Sequence, residues 1–152
     1  MARVRFDQIT SARVRHFDAY WRSKWIDGRI PGRGAIDPAE IRDILPYLII
    51  AEIERNPFRV RYRLCGTMVQ QYDEELTGRY LDELGRISDA DRAEVIDAYR
   101  HAVEEGTPQF GMHEFSARGI DLPLAVQAGV WPLRNAGGVI DQCVAVEDYL
   151  NL

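Results

Sequence analysis

Two pairs of strand-like segments, each joined by a short turn, constrain the fold more than any other feature of this sequence. Residues 47–54 and 58–65 form the first pair, and in the second of these segments apolar residues alternate with arginines. Residues 123–133 and 139–148 form the second pair, and residues 109–117 are a further strand candidate. Because short hairpin connections join antiparallel neighbours, the sequence predicts an antiparallel sheet.

Helical segments precede these strands and separate the two pairs. Residues 67–84 have the pattern of short helical turns, and Ser88 is placed to cap a longer helix that runs to Glu105 and ends at Gly106. A further helix near the amino terminus has one aromatic stripe at spacings of three and four, formed by Val14, Phe17, Trp21 and Trp25. The order of elements predicts an α+β fold in which the central helices lie on one face of the sheet.

Composition excludes several classes of partner. The chain has 19 Lys and Arg against 24 Asp and Glu, a net charge of -5, so it lacks the basic surplus that drives nucleic-acid binding. The longest apolar run, residues 48–51, is too short to cross a membrane, and residues 1–6 lack the apolar core of a secretory signal. We therefore expect a cytoplasmic protein that binds neither nucleic acid nor membrane.

The residues that support catalysis or metal binding are not arranged in a recognisable motif. Cys65 and Cys143 have no CxxC partner, so they are expected to be reduced packing residues, and no metal site is predicted. The sequence contains no GxSxG, HExxH or GxxxxGK[ST] pattern, and strand alternation points no carboxylate toward the predicted core. The chain is therefore not expected to be an enzyme, and a small enzyme is the least favoured alternative.

Three stretches of sequence resemble the PAS domain family. Residues 73–84, with acidic residues followed by Leu76, Gly78 and Leu81, are similar to the segment after the second PAS strand, and residues 131–148 are similar to the last PAS hairpin. The residues before position 48 resemble a small free-standing bacterial PAS subfamily formerly classed as a domain of unknown function. The resemblance implies a five-stranded antiparallel sheet in the order 2-1-5-4-3. It also implies a helical extension over 1–46 and a PAS-like domain over 47–152, in one folded unit.

The resemblance implies a sensory or regulatory role. Such a domain would bind a small molecule, a signalling protein such as a histidine kinase, or both. The alternative is a ligand-free module for protein interaction or dimerisation, and a homo-oligomer is expected. The Asp-Ile-Thr element that leads into a signalling helix in many PAS proteins does not follow Asp148. Output is therefore expected to pass through a separate partner or a homodimer.

The family's two best-defined cofactor arrangements are not matched. Some PAS proteins bind haem through a histidine of the long helix, but His101 is predicted to lie on the solvent face of that helix. Covalent flavin chemistry needs a cysteine after the signature glycine, whereas residues 78–81 are Gly-Arg-Tyr-Leu. The cofactor therefore stays unknown, and His113 is either a ligand contact or an ordinary sheet histidine.

PAS ligands lie between the inner sheet face and the central helices, which implies a set of pocket residues. Apolar walls with a few polar groups suit such a pocket, although they suit a filled core equally well. The candidates predicted to point inward are Tyr62, Leu64, Met68, Tyr72, Tyr99, Val126, Val130, Gln142 and Val144.

The aromatic stripe of the first helix must be covered, since an exposed patch of that size usually marks an interface. The outer face of the sheet, including Trp131, offers a surface against which the helix could lie. The cover could come from the same chain or from a second copy, and the candidate interface residues are Phe17, Trp21, Trp25 and Trp131.

Overall fold

The computed structural model describes residues 1–73, 75–85, 87–117 and 119–151. Within these ranges it contains six strands and three α-helices. In chain order they are β1 (Ala2–Val4), α1 (Ala12–Ser23), β2 (Leu48–Glu54), β3 (Arg59–Cys65), α2 (Thr67–Tyr72), α3 (Asp89–Glu105), β4 (Gln109–Phe115), β5 (Leu124–Arg134) and β6 (Ile140–Tyr149). Short 3₁₀ turns lie between them, among them Leu81–Glu83. Glu74, within the acidic motif, and Leu152, at the end of the expected PAS-like domain, lie outside the described residues.

The strands form one antiparallel sheet in the order β1-β4-β5-β6-β2-β3. Strands β2 to β6 correspond to the five predicted strands, and read from β3 they stand in the predicted order 2-1-5-4-3. The predicted PAS-like α+β fold is therefore confirmed. Strand β1 was not predicted: it pairs with β4, with Val4 opposite Phe110. Three residues are too few to show strand periodicity, so only the tertiary pairing makes this segment a strand.

Both long helices begin at a capping serine, and α3 ends where the sequence predicts, whereas α1 ends at Ser23, before Trp25 of its predicted stripe. The Ser11 hydroxyl accepts a hydrogen bond from the Val14 amide at the start of α1, and the Ser88 hydroxyl accepts one from Asp91 at the start of α3. These bonds satisfy amides that have no partner within the helix. Helix α3 ends at Gly106, whose φ of 66° is the left-handed conformation that glycine adopts most readily.

Helix α1 covers one face of the sheet, which we call the α1 face. The indole of Trp21 donates a hydrogen bond to the Pro132 carbonyl, and the indole of Trp131 donates one to the Asp18 carboxylate, each with a donor–acceptor distance of 3.0 Å. These side chains pack with Phe17 in one buried cluster. The helix therefore covers the sheet of its own chain.

This packing favours one of the two covers that the sequence left open, the sheet of the same chain. Phe17, Trp21 and Trp131 have no exposed surface, so they belong to the core of the chain. Trp25 differs because α1 ends at Ser23, and its side chain is 40% exposed while it contacts the Trp21 ring.

The opposite face of the sheet, which we call the cavity face, is covered by α2, α3 and the turn at Leu81–Glu83. Tyr99 and Val103 of α3 pack there against Tyr62 of β3 and Val130 of β5. Because both faces are covered, the central strands are buried on both sides and carry apolar residues at nearly every position. None of the helices in the described ranges has the length and apolar character needed to span a bilayer.

Candidate ligand-binding cavity

A cavity of about 380 Å³ lies between the cavity face of the sheet and the segment from α2 to α3. Most of its wall is apolar. Leucines of the connecting segment form one side, α3 forms another, and small or branched residues of β5 and β6 form the floor. The apolar lining consists mainly of Leu76, Leu81, Leu84, Ile87, Val95, Ala128, Val130 and Ala145.

Carboxylic side chains are the most numerous kind of polar group that lines the cavity. Four carboxylic side chains belong to the lining, those of Asp73, Asp91, Glu114 and Glu147, and no lysine or arginine side chain stands beside them among the described residues. Asp91 already has a cationic partner, since it lies 2.9 Å from the amino group of Met1.

Glu147 is the carboxyl group that reaches the floor of the cavity. Side chains of a strand alternate between faces, so Cys143, Ala145 and Glu147 of β6 share the cavity face. Its carboxylate accepts a hydrogen bond from the Tyr149 hydroxyl at 3.4 Å. Burial raises the pKa of the Glu147 carboxyl to about 8, and the negative charge of Asp73 adds to this increase. The carboxyl group is therefore largely protonated at neutral pH.

Two buried tyrosines stand beside this carboxyl group. The hydroxyls of Tyr62 and Tyr99 hydrogen-bond to each other, and burial is the main reason that their pKa values lie well above the usual range. Burial also raises the pKa of the nearby Cys65 thiol to about 12. All three groups remain neutral at physiological pH, so the two tyrosines offer polar atoms to the cavity without adding charge.

His113 of β4 lies on the same wall as a neutral group. Burial lowers the pKa of its imidazole to about 4, and the positive charge of the Met1 amino group lowers it further. The sequence left open whether His113 contacts a ligand, and the structure places it in the cavity lining. No cluster of three or more His, Cys, Asp or Glu side chains suited to a metal occurs in the described part of the chain.

The structure brings three of the nine predicted pocket residues to the cavity wall, namely Tyr62, Tyr99 and Val130. Met68, Tyr72 and Val126 lie on the same side of the sheet, in an adjoining cluster with Tyr149, and are not themselves part of the lining. The remaining three, Leu64, Gln142 and Val144, were placed on the wrong side.

The placement of Leu64 fails because of a β-bulge. Ile50 pairs with Leu64 but Ala51 pairs with Tyr62, so β3 carries one extra residue between these pairs. The bulge turns Cys65 toward the cavity face and leaves Leu64 52% exposed.

The placement of Gln142 and Val144 fails because alternation in β6 was assigned to the wrong face. Val144 packs in the cluster under α1, while Cys143 and Ala145 pack on the cavity face. Residues 143–146 are all apolar, because both sides of β6 are covered, so hydrophobicity alone does not distinguish their faces. The same error concealed Glu147, and the expectation that no carboxylate points inward is wrong.

Other lining residues were missed because they belong to segments without regular periodicity. Leu76 and Asp73 lie in the irregular segment after α2, and Leu81 lies in a 3₁₀ turn. A useful signal was present in Glu147 and Asp148: adjacent strand residues face opposite sides, so one of these two acids had to point to each face. Asp148 takes the α1 side, where its carboxylate accepts a hydrogen bond from the Ser11 hydroxyl.

The family assignment agrees with this architecture. A family model described as a PAS domain matches residues 9–144, so the chain belongs to the PAS domain family. Membership of this family supports a sensory or regulatory role in general, without specifying a ligand or a partner. A search of curated proteins found no match.

Three solved structures are similar in fold at low sequence identity. A sensory box histidine kinase/response regulator from Burkholderia thailandensis is 14% identical, with a TM-score of 0.45, over 75% of this chain and 85% of that one. A variant of RsLOV is 16% identical, with a TM-score of 0.48, over 75% and 68% of the two chains. An RNA-binding light-oxygen-voltage receptor is 16% identical, with a TM-score of 0.48, over 82% of this chain and 37% of that one.

Proposed function

We propose that this PAS domain is a sensor whose small-molecule ligand occupies the cavity between the sheet and α3. The observation that carries the proposal is the cavity itself. Its volume of about 380 Å³ lies within the range of roughly 300–1,000 Å³ that is common for small-molecule sites. Protein interiors normally pack without voids of this size, so an unoccupied cavity would sacrifice contacts along its whole wall.

The composition of the wall supports the same proposal. Apolar side chains surround a few polar groups that reach inward, notably Glu147, His113 and the Tyr62–Tyr99 pair. A wall of this kind favours burial of an apolar ligand body, while the polar groups select its orientation.

The test compares adducts of the natural and the filled cavity. Native mass spectrometry of freshly purified protein should show a stoichiometric adduct. Ala145→Leu should remove the adduct, because Ala145 lies buried on the cavity floor, whereas the exposed turn substitution Ala136→Leu should retain it. Circular dichroism establishes that each variant folds, and Ala128→Leu is a second filling variant. Absence of an adduct in every preparation, or its persistence in both filling variants, would contradict the proposal.

A ligand-independent interaction module is the second candidate. Trp25 is 40% exposed and Ile26 is 61% exposed, and the two adjacent side chains form an apolar surface beyond the end of α1. In this case Trp25→Ser with Ile26→Ser would abolish binding to a signalling protein such as a histidine kinase, or formation of a homodimer, and filling the cavity would leave that association unchanged.

The proposal assigns this chain a binding role and not a catalytic one. It also assigns the chain to the cytoplasm. Glu147 removes one sequence argument against an enzyme, so the adduct experiment should also follow the released compound. A compound that leaves the protein unaltered agrees with a sensor, and a converted compound would favour an enzyme.

The proposed cytoplasmic location is supported by Cys65 and Cys143, which are free and buried, as is usual in reducing compartments.

A further inference from the structure

On the basis of the proposed function, we infer that the ligand of the cavity is an organic cation, with an apolar body and an N–H donor group that binds the carboxylate of Glu147. The apolar body would contact the leucines of the connecting segment. The donor group would reach the sheet floor beside Tyr62 and Tyr99. This assignment depends on which charges line the cavity, how deeply Glu147 lies, and what surrounds it.

The charge of the cavity lining favours a cation. Asp73, Glu114 and Glu147 contribute carboxyl groups in addition to Asp91, which bonds the Met1 amino group. The described lining includes no lysine or arginine side chain and His113 is neutral, so its cationic group is the Met1 amino group, which pairs with Asp91 and Glu94. Even while Glu147 is protonated, the carboxylates of Asp73, Asp91 and Glu114 outnumber this amino group, so the lining favours a cation over an anion.

The position of Glu147 makes it the specific contact. Glu147 is half-buried on the cavity floor, and its 3.4 Å contact with Tyr149 is long for a hydrogen bond between oxygen atoms. A ligand N–H group would supply a shorter, charge-assisted bond at a place where the ligand itself displaces water from the carboxylate.

The contact with Glu147 is expected to depend on pH, because the carboxyl group titrates among other ionisable groups. Those around it are Tyr62 and Cys65 of β3, Asp73 after α2, Tyr99 of α3 and Tyr149 of β6, and the cavity lining adds the Met1 amino group, Asp91 of α3, and His113 and Glu114 of β4. Burial raises the pKa of Glu147 to about 8, so the empty site holds a proton below that pH. A bound cation stabilises the ionised carboxylate, so binding releases the proton and strengthens as the pH rises toward about 8.

Three probes of nearly identical shape but different charge test the inference. Benzamidinium is a cation with two parallel N–H donors, benzamide is neutral and benzoate is an anion. Their affinities for the full chain can be measured by calorimetry between about pH 6 and 8. Benzamidinium should bind at least about tenfold more tightly than either analogue near pH 8. Its affinity should fall by up to about tenfold for each pH unit below that.

Matched substitutions connect the preference to Glu147. Glu147→Gln removes the charge at nearly constant shape and should abolish both the cation preference and its pH dependence. Glu104→Gln, on the exposed side of α3, should change neither. Circular dichroism confirms folding of both variants.

Other outcomes separate this inference from the proposed function. Equal or tighter binding of benzamide or benzoate, or a cation preference that persists in Glu147→Gln, would overturn the choice of a cationic ligand and leave the cavity as a binding site. Failure of all three probes to bind would also overturn it, while the adduct comparison with Ala145→Leu decides the proposed function independently.

Discussion

The attachment of α1 to the sheet gives the most direct test of how this fold is stabilised. Asp18 is 4% exposed, and its carboxylate accepts a hydrogen bond from the indole N–H of Trp131 at a distance of 3.0 Å. Asp18→Ala leaves that buried donor without its acceptor, which costs about 1–3 kcal/mol. Alanine favours a helix over aspartate by about 0.5 kcal/mol, so we expect a net loss of about 0.5–2.5 kcal/mol in the free energy of unfolding.

Two further variants separate the indole bond from the ion pair. Asp18→Asn retains an acceptor oxygen for Trp131, so its loss should be clearly smaller than that of Asp18→Ala. Arg22 forms an ion pair with Asp18 at a distance of 2.8 Å, but the Arg22 side chain is 55% exposed. Arg22→Ala should therefore cost less than about 1 kcal/mol.

Urea denaturation followed by tryptophan fluorescence measures these differences, because Trp21 and Trp131 both report on the contact between helix and sheet. An unchanged slope against urea would show that the variants differ in stability rather than in the compactness of the unfolded chain. A loss below about 0.5 kcal/mol for Asp18→Ala, or equal losses for Asp18→Ala and Arg22→Ala, would refute the assignment of stability to the indole bond.

Three other predictions concern the cavity and the two faces of the sheet. The folded-state pKa of Glu147 lies above its usual value, so the stability that this group contributes is complete below about pH 4.5 and is lost as the pH rises to about 8. Urea melts of the natural chain should show part of this loss between about pH 6.5 and 8, and melts of Glu147→Gln should not. Leu84→Ala should cost about 2–5 kcal/mol but less than Leu133→Ala, because Leu84 borders the cavity and Leu133 is fully enclosed, and equal losses would indicate that the cavity is filled. Deletion of residues 1–26 should expose the α1 face and cause aggregation in light scattering, and a truncated chain with unchanged solubility and melting would contradict the role of α1 as a cover.

The candidate site was only partly predictable. Tyr62 and Tyr99 were placed in the cavity because polar residues mark the opposite side of β3 and of α3, whereas Val130 lies in a strand that is buried on both sides and its pattern gives no such signal. Glu147 was missed because β6 is covered on both sides. When both faces are apolar, a shift of one residue leaves the pattern unchanged while it reverses every side chain.

The sequence by itself determined most of the helices and strands of this protein, with β1 as an exception. Caps at Ser11 and Ser88, the stop at Gly106 and the two hairpins depend on interactions within a few residues, which local sequence encodes directly. The order of the sheet followed from the PAS resemblance of residues 73–84 and 131–148.

Tertiary structure decided how those elements face one another. The bulge that exposes Leu64, the pairing that makes a strand of Ala2–Val4 and the inward direction of Glu147 each depend on partners far away in the chain. The physical reason is that a backbone takes its register from the contacts that bury the most surface and satisfy the most hydrogen bonds, and these contacts exist only after the sheet and helices have packed.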